Sequence, residues 1–332
     1  MFIMTTFDDH RLRNLLLACL LFITLAAGVA GAAEPATKPA AKAAKKPVLP
    51  PAPAGVIIEQ DLEYLDPGRA ERLDLYRPAD NGSDGKPFGG IVIIHGGGWA
   101  GGDKAADREF NIGTTLAKAG YVCVSVNYMM DEGKRWPTNL LDCKNAVRFL
   151  RKHAEKYHID PNRIGVIGGS AGGHLALMVG YTADDLSLEP TSPYPGISSR
   201  VSAVVNMYGI TNLATRRKTD DKGTPIGEPI ESTNLFKPKH SEDPDLWQKA
   251  SPVFQVSKNS PPTLTLHGTA DTTVDRDQAS ELDARLTEAG VPHQMIMVPD
   301  IGHTFSLETW RRKPLPQDLR PVVTGFFNEH LK

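Results

Sequence analysis

From Val56 onward the chain alternates short apolar runs with longer segments whose apolar residues recur every three or four positions. Val56–Leu65 and Arg72–Tyr76 alternate apolar and polar residues like two half-buried antiparallel strands, with Asp66-Pro67-Gly68 as the turn between them. Ile91–Ile94 is a continuous apolar run, the pattern of a strand covered on both faces. A helix follows over Ala105–Ala119, stopped by Gly120, then a strand over Tyr121–Tyr128. Asn139–Tyr157 carries Leu140, Leu141, Ala146, Val147 and Leu150 at helical spacing. Arg163–Ile167 reads as another buried strand, and Leu175, Leu177 and Met178 mark the helix after it. Val201–Met207, Pro262–Leu266 and Gln294–Val298 complete the strands, with helices over Asp275–Ala289 and Leu319–Leu331. Strands alternating with helices predict an α/β fold, a mostly parallel, doubly wound sheet of about eight strands. The two leading strands, with no helix between them, predict an antiparallel edge.

One stretch breaks this rhythm. Ile210–Asn259 is polar and rich in Lys, Asp, Pro and Thr, with a short helix expected only around Asp245–Ala250. A loop of that length inside a compact domain is usually functional or mobile. It is read as a small cap-like insert after the sixth strand, either one wall of a cleft or an excursion without a role.

The N-terminus follows different rules. His10, Arg11 and Arg13 precede the apolar run Leu15–Val29, which ends in Ala30-Gly31-Ala32-Ala33. That order predicts a signal peptide over residues 1–33, cut near Ala32 or Ala33, and hence a secreted or periplasmic protein. An uncleaved membrane anchor is the alternative. Cys19, in Leu16-Leu17-Ala18-Cys19, lies too early in the run for a lipid-modification site. Residues 34–55 are Ala, Pro and Lys with little else, an extended linker to a domain over 56–332.

The chain has 332 residues, 40% of them hydrophobic, enough for one substantial core, and a net charge of −2 gives no reason to expect a nucleic-acid partner. Cleavage would leave Cys123 and Cys143, which are expected to be two buried thiols rather than a disulfide. No cysteine or histidine cluster has metal-ligand spacing, so neither metal nor other cofactor is expected. The oligomeric state is open.

The candidate chemistry centres on Gly168-Gly169-Ser170-Ala171-Gly172, between the Arg163–Ile167 strand and the next helix. Strand, Gly-x-Ser-x-Gly and helix together form a nucleophile elbow, in which a strained turn pushes the serine hydroxyl out over the strand end. A serine nucleophile needs a base, and the base needs an orienting acid. His303 follows the last strand, and parallel strands end on one edge, so His303 can meet Ser170. His95 and His267 also end strands but precede glycine and read as loop-shaping, while His174 reads as structural. Asp271, after the Pro262–Leu266 strand, is the expected acid; Asp275 is its competitor, placed to cap the next helix. His95-Gly96-Gly97-Gly98-Trp99 follows an earlier strand, and its glycines let backbone N–H groups approach a substrate oxygen. A phosphate-binding loop is the rival reading, but the Lys and Ser/Thr it needs are absent.

These motifs, with Gly101-Gly102-Asp103-Lys104, HGTADTTV and GHTF, resemble the secreted α/β-hydrolase esterases related to the hormone-sensitive-lipase group. Within them the chain is most similar to the feruloyl- and acetylxylan-esterase-like (BD-FAE type) branch with its RIGVxGxSAGGHLA signature. A departure is Asn127-Tyr128-Met129-Met130, where relatives often carry Tyr-Arg-Leu. The resemblance implies the α/β-hydrolase fold, with Ser170 as nucleophile, His303 as base, Asp271 as acid, and Gly97, Gly98 and Ala171 as oxyanion donors. It also implies a serine carboxylic-ester hydrolase acting on short-chain acyl esters or on acetyl or feruloyl esters of plant polysaccharides. Amide, peptide or formamide hydrolysis by the same triad stays open, as does a non-catalytic binding role. Trp99, Tyr128 and Tyr208 are candidate platforms for a sugar, and equally candidate core residues.

Overall fold

A computed structural model describes residues 48–80 and 85–331. The expected signal peptide and most of the linker therefore lie outside the described residues. In chain order the elements are β1 (Val56–Leu62), β2 (Leu73–Pro78), β3 (Phe88–Ile94), α1 (Asp107–Lys118), β4 (Tyr121–Val126), α2 (Thr138–Lys152) and α3 (Ala154–Tyr157). There follow β5 (Ile159–Gly169), α4 (Ala171–Tyr181), β6 (Ala203–Met207), β7 (Lys218–Thr219), β8 (Pro225–Ile226), α5 (Pro244–Lys249) and α6 (Pro252–Gln255). The chain closes with β9 (Thr263–Gly268), α7 (Asp277–Glu288), β10 (His293–Val298), β11 (Thr309–Trp310), β12 (Lys313–Pro314) and α8 (Arg320–His330).

Eight strands form one sheet in the order β1-β2-β4-β3-β5-β6-β9-β10. β1 with β2 and β2 with β4 pair antiparallel, and all other pairs are parallel, as the alternation of elements predicts. Side chains on a strand point to opposite faces in turn, and the core follows that period. Val92 and Ile94 of β3, and Val122, Val124 and Val126 of β4, pack on the face covered by α2, α4 and α7. Ile91, Ile93, Tyr121 and Cys123 pack on the opposite face with Ile112 and Leu116 of α1 and Val323 and Phe327 of α8. Both Cys123 and Cys143 are buried free thiols.

Two boundaries differ from the expected ones. The helix over Asn139–Tyr157 breaks at His153, whose backbone N–H and ring Nδ1 both reach the Phe149 carbonyl. β5 begins at Ile159, before the apolar run, and pairs with β3 through an irregularity between Phe88 and Gly90.

The polar stretch Ile210–Asn259 is built rather than formless. β7 and β8 make a small hairpin. Leu213, Leu235, Trp247, Ala250 and Val253 are buried with the residues of α4. Asp243 caps α5 by accepting from the Leu246 N–H at 3.0 Å, with Pro244 at the first helical position.

Candidate active site

The elbow stands at the junction of β5 and α4. Ser170 has φ 59° and ψ −124°, a conformation sparsely populated by residues with a side chain, and its N–H is held by the Met207 carbonyl at 2.9 Å. Two glycines make the turn sterically feasible. A Cβ at Gly168 would lie 2.2 Å from the Gly172 carbonyl oxygen, and one at Gly172 would lie 2.1 Å from the Ile94 carbonyl oxygen. Helix and strand thus approach so closely that side chains at either position would force them apart. The strain directs the Ser170 hydroxyl over the C-terminal edge of the sheet.

His303 and Asp271 meet it there. The Ser170 hydroxyl lies 2.9 Å from His303 Nε2, and His303 Nδ1 lies 2.6 Å from Asp271 Oδ2. With a carboxylate facing Nδ1, that nitrogen carries the proton, and Nε2 accepts from the serine. The other oxygen of Asp271 accepts from the Thr273 and Val274 N–H groups at 2.8 and 3.0 Å. Burial pushes the Asp271 carboxyl up, but the bond with His303, the nearby His267 and the Val274 N–H outweigh it and hold it below the usual carboxylate range. Asp275 is engaged elsewhere: its Oδ2 accepts from the Arg217 N–H at 2.9 Å and so fastens the insert.

The other strand-end histidines are buried in loop-shaping positions. His95 Nδ1 lies 2.7 Å from the Gly96 carbonyl, and His267 Nε2 lies 3.0 Å from that of Val274. His174 accepts from Trp99 Nε1 through Nδ1 at 3.2 Å and donates from Nε2 to the Ala250 carbonyl at 2.7 Å. That arrangement requires neutral imidazole, and burial lowers its pKa to about 4.

Gly97 and Gly98, with φ of 115° and 59°, take the glycine loop across the mouth of the site. Among the described residues nothing accepts a hydrogen bond from the N–H groups of Gly97, Gly98 or Ala171. Those donors are free for a ligand oxygen.

The three aromatic candidates are corrected in part. Tyr128 and Tyr208 have no exposed surface and cannot offer a ring face to a sugar. Tyr128 stacks on His95 and donates to its carbonyl at 3.0 Å. Tyr208 donates to the Phe305 carbonyl at 2.7 Å and packs edge-on against His303, supporting the base from behind. Trp99, 2% exposed, reaches a cavity wall but spends its indole N–H on His174.

Sequence reasoning missed Arg108. Its guanidinium pairs with buried Glu109, donates to the Tyr208 hydroxyl at 2.9 Å, and packs beneath the elbow at Gly169. An unremarkable arginine and tyrosine 100 residues apart give no pattern to read.

Two cavities flank Ser170. One, about 320 Å³, lies between the glycine loop and the start of α1 and is lined by Gly97, Asp103, Asp107, Arg108 and Glu109. The other, about 460 Å³, lies toward the insert and is lined by Trp99, Arg216, Ser232, Thr233, Asn234 and Thr273.

Comparison with known proteins agrees with this architecture. The chain is 32% identical over 242 residues to esterase LipC of Mycobacterium tuberculosis, a match covering 72% of this chain and 58% of that longer protein. A truncated carbohydrate esterase from gut microbiota superposes with a TM-score of 0.71 at 29% identity, covering 83% of this chain and 96% of the other. An acetyl ester-xyloside bifunctional hydrolase from Caldicellulosiruptor lactoaceticus superposes with a TM-score of 0.63 at 27% identity, covering 80% and 90%. Residues 73–286 match the BD-FAE family, a span that includes both the elbow serine and the Asp271 loop, and the chain belongs to that family.

Proposed function

We propose that the protein is a carboxylic-ester hydrolase that works through an acyl-enzyme on Ser170. The observation that carries this reading is the continuous relay from the Ser170 hydroxyl through His303 to Asp271, beside three uncommitted N–H donors and open to two cavities. His303 Nε2 takes the serine proton as Ser170 attacks the ester carbonyl. Asp271 keeps the proton on Nδ1 and stabilises the imidazolium that forms. The developing oxyanion is held by the N–H groups of Gly97, Gly98 and Ala171, the last at the start of α4, where the helix dipole favours negative charge. His303 then protonates the leaving alcohol, and water repeats the sequence on the acyl-enzyme.

The substrates proposed are short-chain esters and the acetyl or feruloyl esters of plant polysaccharides. The carbohydrate-esterase neighbour and the acetyl ester-xyloside hydrolase support that range. The leader-like N-terminus supports export, which brings the enzyme to such polymers. The test is hydrolysis of 4-nitrophenyl acetate, butyrate and octanoate, methyl ferulate and acetylated xylan by the wild type and by Ser170→Ala. Turnover of acetate and of plant-wall esters is expected, with a loss of about 10⁶-fold in the variant. Silence of folded wild type on every ester would overturn the reading.

A further inference from the structure

The two cavities beside Ser170 differ in charge, and one holds a guanidinium with no carboxylate partner among the described residues. Arg216 follows the buried start of the insert and lines the 460 Å³ cavity together with Ser170. Its backbone is fixed on both sides: its carbonyl accepts from the Ile230 N–H at 2.8 Å, and the next N–H donates to Asp275 at 2.9 Å. Among the described residues the side chain makes a single hydrogen bond, from Nη2 to the Thr273 carbonyl at 3.2 Å. Its Nε is buried with no acceptor among the described residues, and no carboxylate among them forms an ion pair with the guanidinium. Asp275 and Asp271 act on it only as neighbouring charges, the first bonded to Arg217 and the second to His303.

A partly buried guanidinium left with unmet donors is costly to keep, and a planar fork of N–H groups is built for a carboxylate. Among the described residues no acidic side chain lines this cavity. The cavity on the other side of Ser170 carries Asp103 and Asp107 beside the Arg108–Glu109 ion pair, a net negative lining, so an anionic group is disfavoured on that side and drawn to the other. Ser232, Thr233 and Asn234 of the insert and Thr273 of the Asp271 loop add hydroxyl and amide groups, with Ile210 beside them. Asn234 is held by its carbonyl, which accepts from Arg135 Nη1 at 2.6 Å, leaving its side-chain amide near Gly98 for a ligand.

We propose that Arg216 is a specificity-determining residue that pairs with a carboxylate on the alcohol part of the ester, so that the preferred substrates are O-acylated sugar acids. The proposal rests on the ester-hydrolase reading and narrows its substrate class. Hydroxyls of the sugar meet the Ser232, Thr233, Thr273 and Asn234 wall, the carboxylate meets Arg216, and the acyl carbonyl lies at Ser170. A cavity of about 460 Å³ is within the range of small-ligand sites.

The test compares acetate release from the mono-O-acetyl ester of methyl galactosiduronate with that from the matching ester of methyl galactoside. Wild type is expected to prefer the acidic sugar by about ten- to hundred-fold in kcat/KM, the size of one charge-assisted pairing, with the difference in KM. In Arg216→Met the ratio falls to about one, and Arg216→Lys, which keeps the charge but not the fork, retains part of it. A wild-type ratio of one or less, alongside ready hydrolysis of 4-nitrophenyl acetate, overturns the proposal and leaves the hydrolase reading standing. A preference that survives in Arg216→Met does the same. Binding decides the matter without chemistry. By titration calorimetry, Ser170→Ala should bind unacylated methyl galactosiduronate at least ten-fold tighter than methyl galactoside, and equal affinities would contradict the proposal even if no ester proved to be a substrate.

Discussion

The two walls that meet at Ser170 are made in opposite ways. On one side stand the glycine loop and the start of α1, both in the segment that leaves the end of β3. Their backbone is set by steric necessity, and their useful groups are N–H donors. On the other side stands the insert, a polar segment with a minimal hairpin and short helices, and its useful groups are side chains. In the proposed reaction the first wall handles what every ester shares, a carbonyl oxygen that becomes charged. The second meets the part of the substrate that varies. On that proposal one wall governs rate and the other governs choice.

That division can be broken or sharpened by substitution. After Ser170 itself, the largest effect is expected at Asp271, which belongs to neither wall. Asp271→Asn should lower kcat by about 10⁴-fold, because the amide no longer fixes the proton on His303 Nδ1. Steady-state kinetics on 4-nitrophenyl acetate would show it, with little change in the melting temperature. Next comes Gly97→Ala. A Cβ there would lie 2.2 Å from the Gly101 carbonyl oxygen, so the loop must move and its donors lose their alignment. A fall in kcat of about 10²- to 10³-fold is expected, equal for all substrates. A loss that varied strongly with the alcohol group would show that this wall also selects.

His174 links the walls, since it accepts from Trp99 of the loop and donates to Ala250 of the insert. Its imidazole is lowered from the usual 6.5 to about 4, so below about pH 6.5 the unfolded chain takes up a proton that the folded chain refuses. Folding stability therefore falls as pH drops through that window, by ~3 kcal/mol at pH 4 relative to pH 7. His174→Gln keeps the donor to Ala250 and removes the titration. Urea denaturation at the two pH values should show a smaller acid loss in the variant by about that amount. The smallest effect is expected at Tyr208, behind the base. Tyr208→Phe leaves Arg108 Nη1 and the Phe305 carbonyl without their partner, a loss of about 1–3 kcal/mol in stability by the same method.

What could be read from the sequence follows the same line. Ser170, Asp271 and His303 each follow a strand, and parallel strands end on one side of the sheet, so the elbow motif and the strand order together bring the three to one edge. The competition between Asp271 and Asp275 could also be settled in favour of the residue nearer the strand end. The insert could not be read in this way. Its internal contacts are irregular, as in the Ile230 N–H to the Arg216 carbonyl at 2.8 Å and Trp247 Nε1 to the Pro238 carbonyl at 3.0 Å, and these leave no periodic trace. Arg216 and Arg108 were invisible for the same reason, because nothing local distinguishes an arginine with a partner from one without. The aromatic candidates are decided by packing that the sequence does not show. Tyr128 and Tyr208 stand at strand ends, where platform and core positions read alike, and both are covered by the loops that carry His95 and His303.

The central claim is that Ser170 is an activated nucleophile. A fluorophosphonate reacts with a serine only when a base withdraws its proton and donors hold the developing charge. Intact mass and peptide mapping after brief exposure should show one adduct on Ser170 in the wild type and none in His303→Ala. Folded wild type that stays unlabelled, or that labels equally without His303, would contradict the account.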